Sequence, residues 1–359
     1  MTVPKIYNNQ SEINHWGIRR QEIFRLFEDY EYGKIPDIKF DDVRLFHNGH
    51  LEIKDGYILD TFGLVFFKDK KYYGLQYEMF YKEGLKNASP SILQINPFSI
   101  SPIGYMLQIN QKNMSEIFPV KMIADSGFIA VNCCVDKICP DDENTYKYGI
   151  MQIEPAKGPA GWSAISVWAW ATSRIIDQLV ENPLFDSSRI TVYGCSRAGK
   201  TALWCGASDL RIKAVYAAVS GCCGAAMHRG KTGETIEKIT SAFPHWSCEK
   251  FKEFINKEEE LPMDQHMLLS LIAPRPLYIS SASLDSWSHP EKEFESCVRV
   301  SVLYEAMGKA GLSSKQFPVP DSPIKGGDIQ YHLRAGEHGC RIYDWEQVIP
   351  FLKRELSIN

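Results

Sequence analysis

The stretch from Arg189 to Gly206, R-I-T-V-Y-G-C-S-R-A-G-K-T-A-L-W-C-G, constrains this chain more than any other. Ile190 to Tyr193 is a β-branched and aromatic run of the kind a buried strand uses. A tight Gly-Cys-Ser-Arg turn follows. Ala198, Thr201, Ala202, Leu203 and Trp204 then supply helix material with small residues near its start. A strand, a sharp turn and a helix with Ser196 at the apex is the geometry of a nucleophile elbow. Gly194 and Gly199 leave room for the crossing. The same letters also fit a phosphate-binding loop, because Gly194 is followed after four residues by Gly199-Lys200-Thr201. One reading makes a hydrolase, the other a nucleotide binder.

The two readings make different demands elsewhere. A phosphate loop wants a carboxylate at the end of a nearby apolar strand to hold magnesium. Only Asp136, after Val135, could be placed there. A hydrolase of the α/β type wants Ser, then Asp or Glu, then His, each on a loop after a strand. Pro276 to Ser281 reads as a strand and leads into Ala282-Ser283-Leu284-Asp285. Tyr331-His332-Leu333 leads into R-A-G-E-H-G, which puts His338 on a glycine-flanked loop before the last helix. Ser196 needs a base to take its proton, and a histidine can do so near neutral pH. A buried carboxylate at Asp285 would fix that histidine's tautomer. The Arg197 backbone N–H and guanidinium are candidate donors to a tetrahedral oxyanion. On order and context alone, His332 and His289 compete with His338.

The rest of the chain suits the second arrangement. Ser11 to Tyr30 reads as a helix with Ser11 as cap and Ile13, Trp16, Ile18, Ile23, Leu26 and Phe27 on one face. Short strands follow at Val43–Phe46, Leu51–Ile53, Tyr57–Leu59, Leu64–Phe67 and Leu75–Phe80, with Asn48-Gly49 and Asp55-Gly56 as hairpin signals. Strands at Ser91–Ile95, Gly127–Val135, Ile190–Tyr193, Ala214–Val219 and Pro276–Ser281 then alternate with helical segments, and Trp345–Leu356 closes the chain. The pattern predicts an α/β-hydrolase fold, a mostly parallel sheet covered by helices on both faces. We expect one domain, with 1–88 as a helix and antiparallel-strand extension and 89–359 as the catalytic core.

Composition narrows the partners. A net charge of −4 argues against nucleic acid, and no run of 18 apolar residues offers a membrane span. The N-terminus lacks the apolar core of a secretory signal, so a cytoplasmic protein with its ten cysteines reduced is expected. Zinc would need Cys and His ligands clustered at short spacing, and the spacing reveals none. No metal or organic cofactor is called for, and a monomer is assumed.

Beyond the elbow G-C-S-R-x-G-K, the chain carries S-G-C-C-G-A-A (Ser220–Ala226), R-G-K-T-G-E-T (Arg229–Thr235), F-P-H-W (Phe243–Trp246), L-P-M-D-Q-H-M-L-L (Leu261–Leu269), D-S-W-S-H-P (Asp285–Pro290) and H-L-R-A-G-E-H (His332–His338). With these, from about Trp16 to Phe351, it resembles the glucuronoyl esterases of carbohydrate esterase family 15. The resemblance implies a serine esterase cleaving esters of (4-O-methyl-)glucuronic acid on xylan, with a glucuronoxylan-derived oligosaccharide or ester as substrate. It makes Ser196 the nucleophile, Arg197 the oxyanion arginine and His338 the general base. Lys200 and Glu234 match positions that contact sugar hydroxyls, and Trp287 a substrate-contacting tryptophan. The family often places its triad acid where this chain has Val219, which cannot orient a histidine; other members place it at the position of Asp285. Arg229, Lys231, Glu234, His245 and Trp246 form a polar-aromatic stretch whose composition suits a carbohydrate rim. An acetyl-xylan or other carbohydrate esterase, and a non-catalytic glycan binder, are the alternatives.

Overall fold

The computed structural model describes residues 3–85, 88–98 and 116–358. Three long strands come first: β1 (Asp42–Ile53), β2 (Tyr57–Lys68) and β3 (Lys71–Lys82). Then follow β4 (Ser89–Asn96), β5 (Ile129–Cys134), β6 (Phe185–Cys195), β7 (Ile212–Ala218), β8 (Leu277–Ala282) and β9 (Ile329–Arg334). They form one sheet in the order β1-β2-β3-β5-β4-β6-β7-β8-β9. The first three strands pair antiparallel with one another and with β5; from β5 to β9 every pairing is parallel.

Helices cover both faces. They are α1 (Gln10–Asn14), α2 (Trp16–Tyr30), α3 (Val120–Asp125), α4 (Ala164–Glu181), α5 (Arg197–Ser208), α6 (Ile236–Ala242), α7 (Gln265–Ser270), α8 (Pro290–Ala306) and α9 (Ile342–Glu355). The parallel strands alternate strictly between two cores. Val192, Val215, Leu277 and Ile329 face one, with Trp168 and Trp204 from α4 and α5. Tyr193, Tyr216 and Tyr278 face the other, cross-strand neighbours in register. Trp345 of α9 meets Tyr193 and Tyr216 edge-on at 4.7 and 5.6 Å. Burial on both faces is why these strands read as continuous apolar runs.

The N-terminal third departs from the reading of the sequence in three ways. Five expected short strands are three strands of twelve residues. Asn48-Gly49 is a β-bulge inside β1, where the register shifts between His47 and Gly49. The positive φ angles that reverse the chain fall instead at Asp55 and Gly56 (70° and 75°), as expected, and at Asp69 and Lys70 (49° and 65°). The first helix is capped by Asn9, whose side chain accepts from the Glu12 N–H at 3.1 Å, and it breaks at His15. Ser11 lies inside it. The last core strand, β9, has too few residues of clear pattern to stand out in the sequence.

From β4 the chain crosses to β5 on one side and returns to β6 on the other. The strand order reverses there, and a crevice opens at the carboxyl ends of β4 and β6, the usual place for a site in such sheets.

Candidate active site

Ser196 sits at that crevice, between the end of β6 and the start of α5. Its φ of 61° and ψ of −126° are costly for a residue with a side chain, about 1–3 kcal/mol. Its own N–H donates to the Ala218 carbonyl at 2.9 Å and Gly199 N–H to the Ser196 carbonyl at 2.8 Å, which hold the turn. A Cβ on Gly194 would lie 1.9 Å from the Ala198 carbonyl oxygen, so only glycine lets the helix pass back over the strand. Gly199 is tight but less constrained, with Ser220 Cβ and the Ala218 carbonyl at 3.0 and 3.1 Å from the position a Cβ would take. The nucleophile-elbow expectation therefore has its local geometry.

Asp285 follows β8 and His338 follows β9. His338 Nδ1 lies 2.6 Å from Asp285 Oδ2. The other Asp285 oxygen accepts from the Ser288 N–H at 3.1 Å. Burial alone would push the Asp285 carboxyl up; the hydrogen bonds from His338 and Ser288 outweigh it and hold it below its ordinary range. Asp285 is 5% exposed, whereas the His338 side chain is 44% exposed and free to meet a substrate. Gly336 and Gly339 flank the histidine with φ of 114° and 120°, a backbone that only glycine takes readily. Ser196, Arg197 and His338 line one cavity of about 260 Å³, with Asn96, Ile117 and Arg341. Among the described residues no hydrogen bond joins Ser196 to His338; such contacts often tighten only around substrate.

The competing groups are elsewhere. His332 is buried between Asp344 Oδ1 (2.6 Å) and the Tyr278 hydroxyl (2.9 Å). His289 caps α8 and accepts from the Thr232 N–H at 3.0 Å. Glu293 is fully buried and accepts from Ser220 Oγ, Gly221 N–H and Ser281 Oγ, so it braces the loop after β7. Val219 stands on that loop with a φ of 44°, rare for a β-branched residue. Its N–H donates to the Ser280 carbonyl at 2.7 Å and its carbonyl accepts from Ser288 Oγ at 3.4 Å, joining the elbow's neighbour to the loop of Asp285.

Arg197 is pinned by a group the sequence did not single out. Its Nη1 donates to Asp141 Oδ2, and its guanidinium lies over Trp246 (4.7 Å), Phe243 (5.3 Å) and Phe98 (5.3 Å). Asp141 Oδ1 is in turn held by His245 Nε2 (2.9 Å) and Trp246 Nε1 (2.7 Å). Burial raises the Asp141 carboxyl, but the His245 hydrogen bond, the Arg197 charge and the Trp246 N–H bring it below its ordinary value. Among the described residues the Nε of Arg197 is buried without a partner. As the first residue of α5, Arg197 also has a backbone N–H with no intrahelical acceptor. The only sign of Asp141 in the sequence was its place on the loop beyond β5.

Lys200 is buried beneath the elbow. Its Nζ donates to the Ser220 and Cys222 carbonyls at 2.7 and 2.5 Å and to Glu234 Oε2 at 2.9 Å. All three of its hydrogens are engaged, which removes the free ammonium a phosphate loop requires. Glu234 Oε2 also accepts from the Cys222 N–H, while Oε1 has no protein donor among the described residues. Trp287 is 41% exposed and is not core; Lys238 Nζ lies 5.7 Å from its ring centre. The expected rim is a correction. Arg229 is buried on Asp264 (3.0 Å) and on three backbone carbonyls. Lys231 Nζ donates to the Ser288 carbonyl at 2.6 Å, and His245 and Trp246 serve Asp141. His245 and Trp246 stand behind Arg197, and Arg229 and Lys231 are buried on backbone carbonyls.

Comparison with known proteins points one way. A family model for fungal glucuronyl esterases matches residues 150–308. A carbohydrate esterase from an unknown prokaryotic organism is 31% identical over 94% of this chain and 84% of its own length. A glucuronoyl esterase structure from Solibacter usitatus superposes with a TM-score of 0.90 at 28% identity, covering 99% of this chain and 98% of that one. A structure described as a promiscuous esterase of carbohydrate esterase family 15, from a marine bacterial metagenome, gives 0.85 at 28% identity over 99% and 97%.

Proposed function

Because the chain belongs to the glucuronoyl esterases of carbohydrate esterase family 15, we propose that it hydrolyses esters of glucuronic acid, with or without the 4-O-methyl group, carried on xylan. The observation that carries the proposal is the 2.6 Å contact between His338 Nδ1 and the buried Asp285, on the cavity that also exposes Ser196.

In this reading His338 Nε2 takes the proton of Ser196 as its oxygen attacks the ester carbonyl. Asp285 keeps the Nδ1 proton in place and stabilises the imidazolium. The oxyanion is met by the Arg197 backbone N–H at the start of α5 and by the guanidinium. His338 returns the proton to the departing alcohol, leaving the uronic acid as an ester of Ser196. Water, activated by the same histidine, then releases the acid. Glu234 Oε1 accepts from a sugar hydroxyl, Lys200 holds Glu234 in place and supplies positive potential, and Trp287 offers a plane to the sugar face. Lys200 as a direct ligand would have to exchange one of its protein acceptors.

A broader carbohydrate esterase is the second reading, favoured by the likeness to the promiscuous marine esterase. Hydrolysis of methyl 4-O-methylglucuronate, compared with release of acetate from acetylated xylo-oligosaccharides, separates the two. Faster turnover of the uronate ester is expected; acetate release alone would defeat the glucuronoyl reading.

A further inference from the structure

At the edge of the sheet, on the β1–β2 hairpin, two imidazoles and a carboxylate converge. His47 Nε2 lies 2.9 Å and His50 Nδ1 2.7 Å from one atom, Oδ1 of Asp60. All three ligand-capable atoms fall within 4.8 Å of one another. The β-bulge brings them together. Residues three apart on a regular strand point to opposite faces. With Asn48 as the extra residue, His50 stands opposite Asp60 and His47 opposite Phe62, so both project from the same face.

The surroundings hold this geometry. Asp60 is 5% exposed, and its second oxygen accepts from the Tyr81 hydroxyl at 2.6 Å, which fixes the carboxylate plane. The His47 ring stacks on Phe62 with centres 4.8 Å apart and planes 19° from parallel. The two histidine side chains are 51% and 46% exposed, leaving room on the open side for water. Two neutral imidazole nitrogens and one carboxylate oxygen are a zinc donor set. Tetrahedral zinc separates its ligand atoms by roughly 3.3 Å, given Zn–N and Zn–O lengths of about 2.0–2.2 Å. The two imidazole–carboxylate contacts need to open by about half an ångström and the two imidazole nitrogens, within 4.8 Å of each other, to draw together to reach that separation, and exposed histidines can give both.

We propose that His47, His50 and Asp60 bind a zinc ion, or a divalent transition ion of similar preference, with water completing the coordination. The ion would clip β1 to β2. That clip has a purpose in this fold, because among the described residues β1 is an edge strand paired with β2 alone and exposed from Asp42 to Glu52. The expectation of no metal cluster rested on sequence spacing. It missed this group because the carboxylate lies 13 and 10 residues from its histidines and the bulge leaves no mark in the spacing.

Calorimetric titration of zinc into the metal-stripped full chain near neutral pH tests the proposal. One equivalent is expected to bind the wild type and to raise its melting temperature. His47→Gln and His50→Gln should each weaken binding at least about tenfold, and Tyr81→Phe, which frees the carboxylate plane, by roughly tenfold with the stoichiometry kept. Ester hydrolysis by the two histidine variants should match the wild type, since both residues lie outside the cavity of Ser196, and this reports that they fold. A wild type that takes up no zinc at micromolar concentration, or a double histidine variant that binds it as the wild type does, would overturn the assignment.

Discussion

In the proposed mechanism Arg197 depends on the groups that stand behind it. Its guanidinium is oriented by Asp141 and faced by three aromatic rings, and Asp141 is oriented by His245 and Trp246. Removing the charge of Asp141 leaves Arg197 in place but unpinned. Asp141→Asn should lower kcat on the order of 10²-fold, as a misplacement near 1 Å does, with KM little changed because the oxyanion exists only beyond the ground state. Steady-state kinetics beside a melting curve checks it; a change confined to KM would mean that Asp141 serves binding instead. Ser196, Arg197, Asp285 and His338 were expected from an elbow and a chain order, and the structure brings Ser196, Arg197 and His338 to one cavity with Asp285 against His338. Asp141 was not expected, because a carboxylate bound to a distant arginine carries no local pattern. The histidine and tryptophan of the F-P-H-W motif were visible but misread as rim, since composition does not reveal which way a loop folds.

Among the elements, the junction of β6 and α5 was readable, although β6 begins at Phe185 and not at Ile190, and the reason is steric. The helix turns back over its own strand, and Gly194 is the point where the two backbones touch. Gly194→Ala would drive a methyl carbon into the Ala198 carbonyl and force the backbone apart, costing about 1–3 kcal/mol. Labelling of Ser196 by a fluorophosphonate probe should slow by at least about tenfold as the serine leaves its position. Labelling at the wild-type rate would show that the turn tolerates the shift. The antiparallel strands were harder to delimit. Asn48-Gly49 has the letters of a hairpin turn, yet the partner strand β2 runs on past it and the pair is absorbed as a bulge. Local signals of that kind lose to twelve residues of continuous pairing.

At the scale of the molecule, the sheet divides two cores, and some buried polar groups are built to stay neutral. His266 in α7 is one. Its Nε2 donates to the Pro4 carbonyl at 2.9 Å, and its Nδ1 is buried without an acceptor among the described residues, so a proton there would find no partner among them. Burial holds its pKa down to about 4, from an ordinary 6.5. The unfolded chain therefore takes up a proton below about 6.5 that the folded chain refuses until about 4. Folding stability should fall as pH drops through that window, by up to roughly 3 kcal/mol from this group. Denaturant melts of His266→Gln across the window should show a shallower fall than the wild type; parallel curves would mean the imidazole titrates normally. The alternation of strands and helices was enough to foresee the mostly parallel sheet, but not that the N-terminal strands continue it as one surface, because pairing between β3 and β5 is set by contacts some fifty residues apart.

The central claim is that Asp285 serves the histidine in a chain whose Val219 cannot. The turnover of Asp285→Asn on methyl 4-O-methylglucuronate, relative to wild type, tests it directly. Loss of the carboxylate lets the His338 ring take the wrong tautomer, and kcat should fall by about 10⁴ with the fold intact. Turnover within a few-fold of wild type would contradict the claim and place the acid elsewhere.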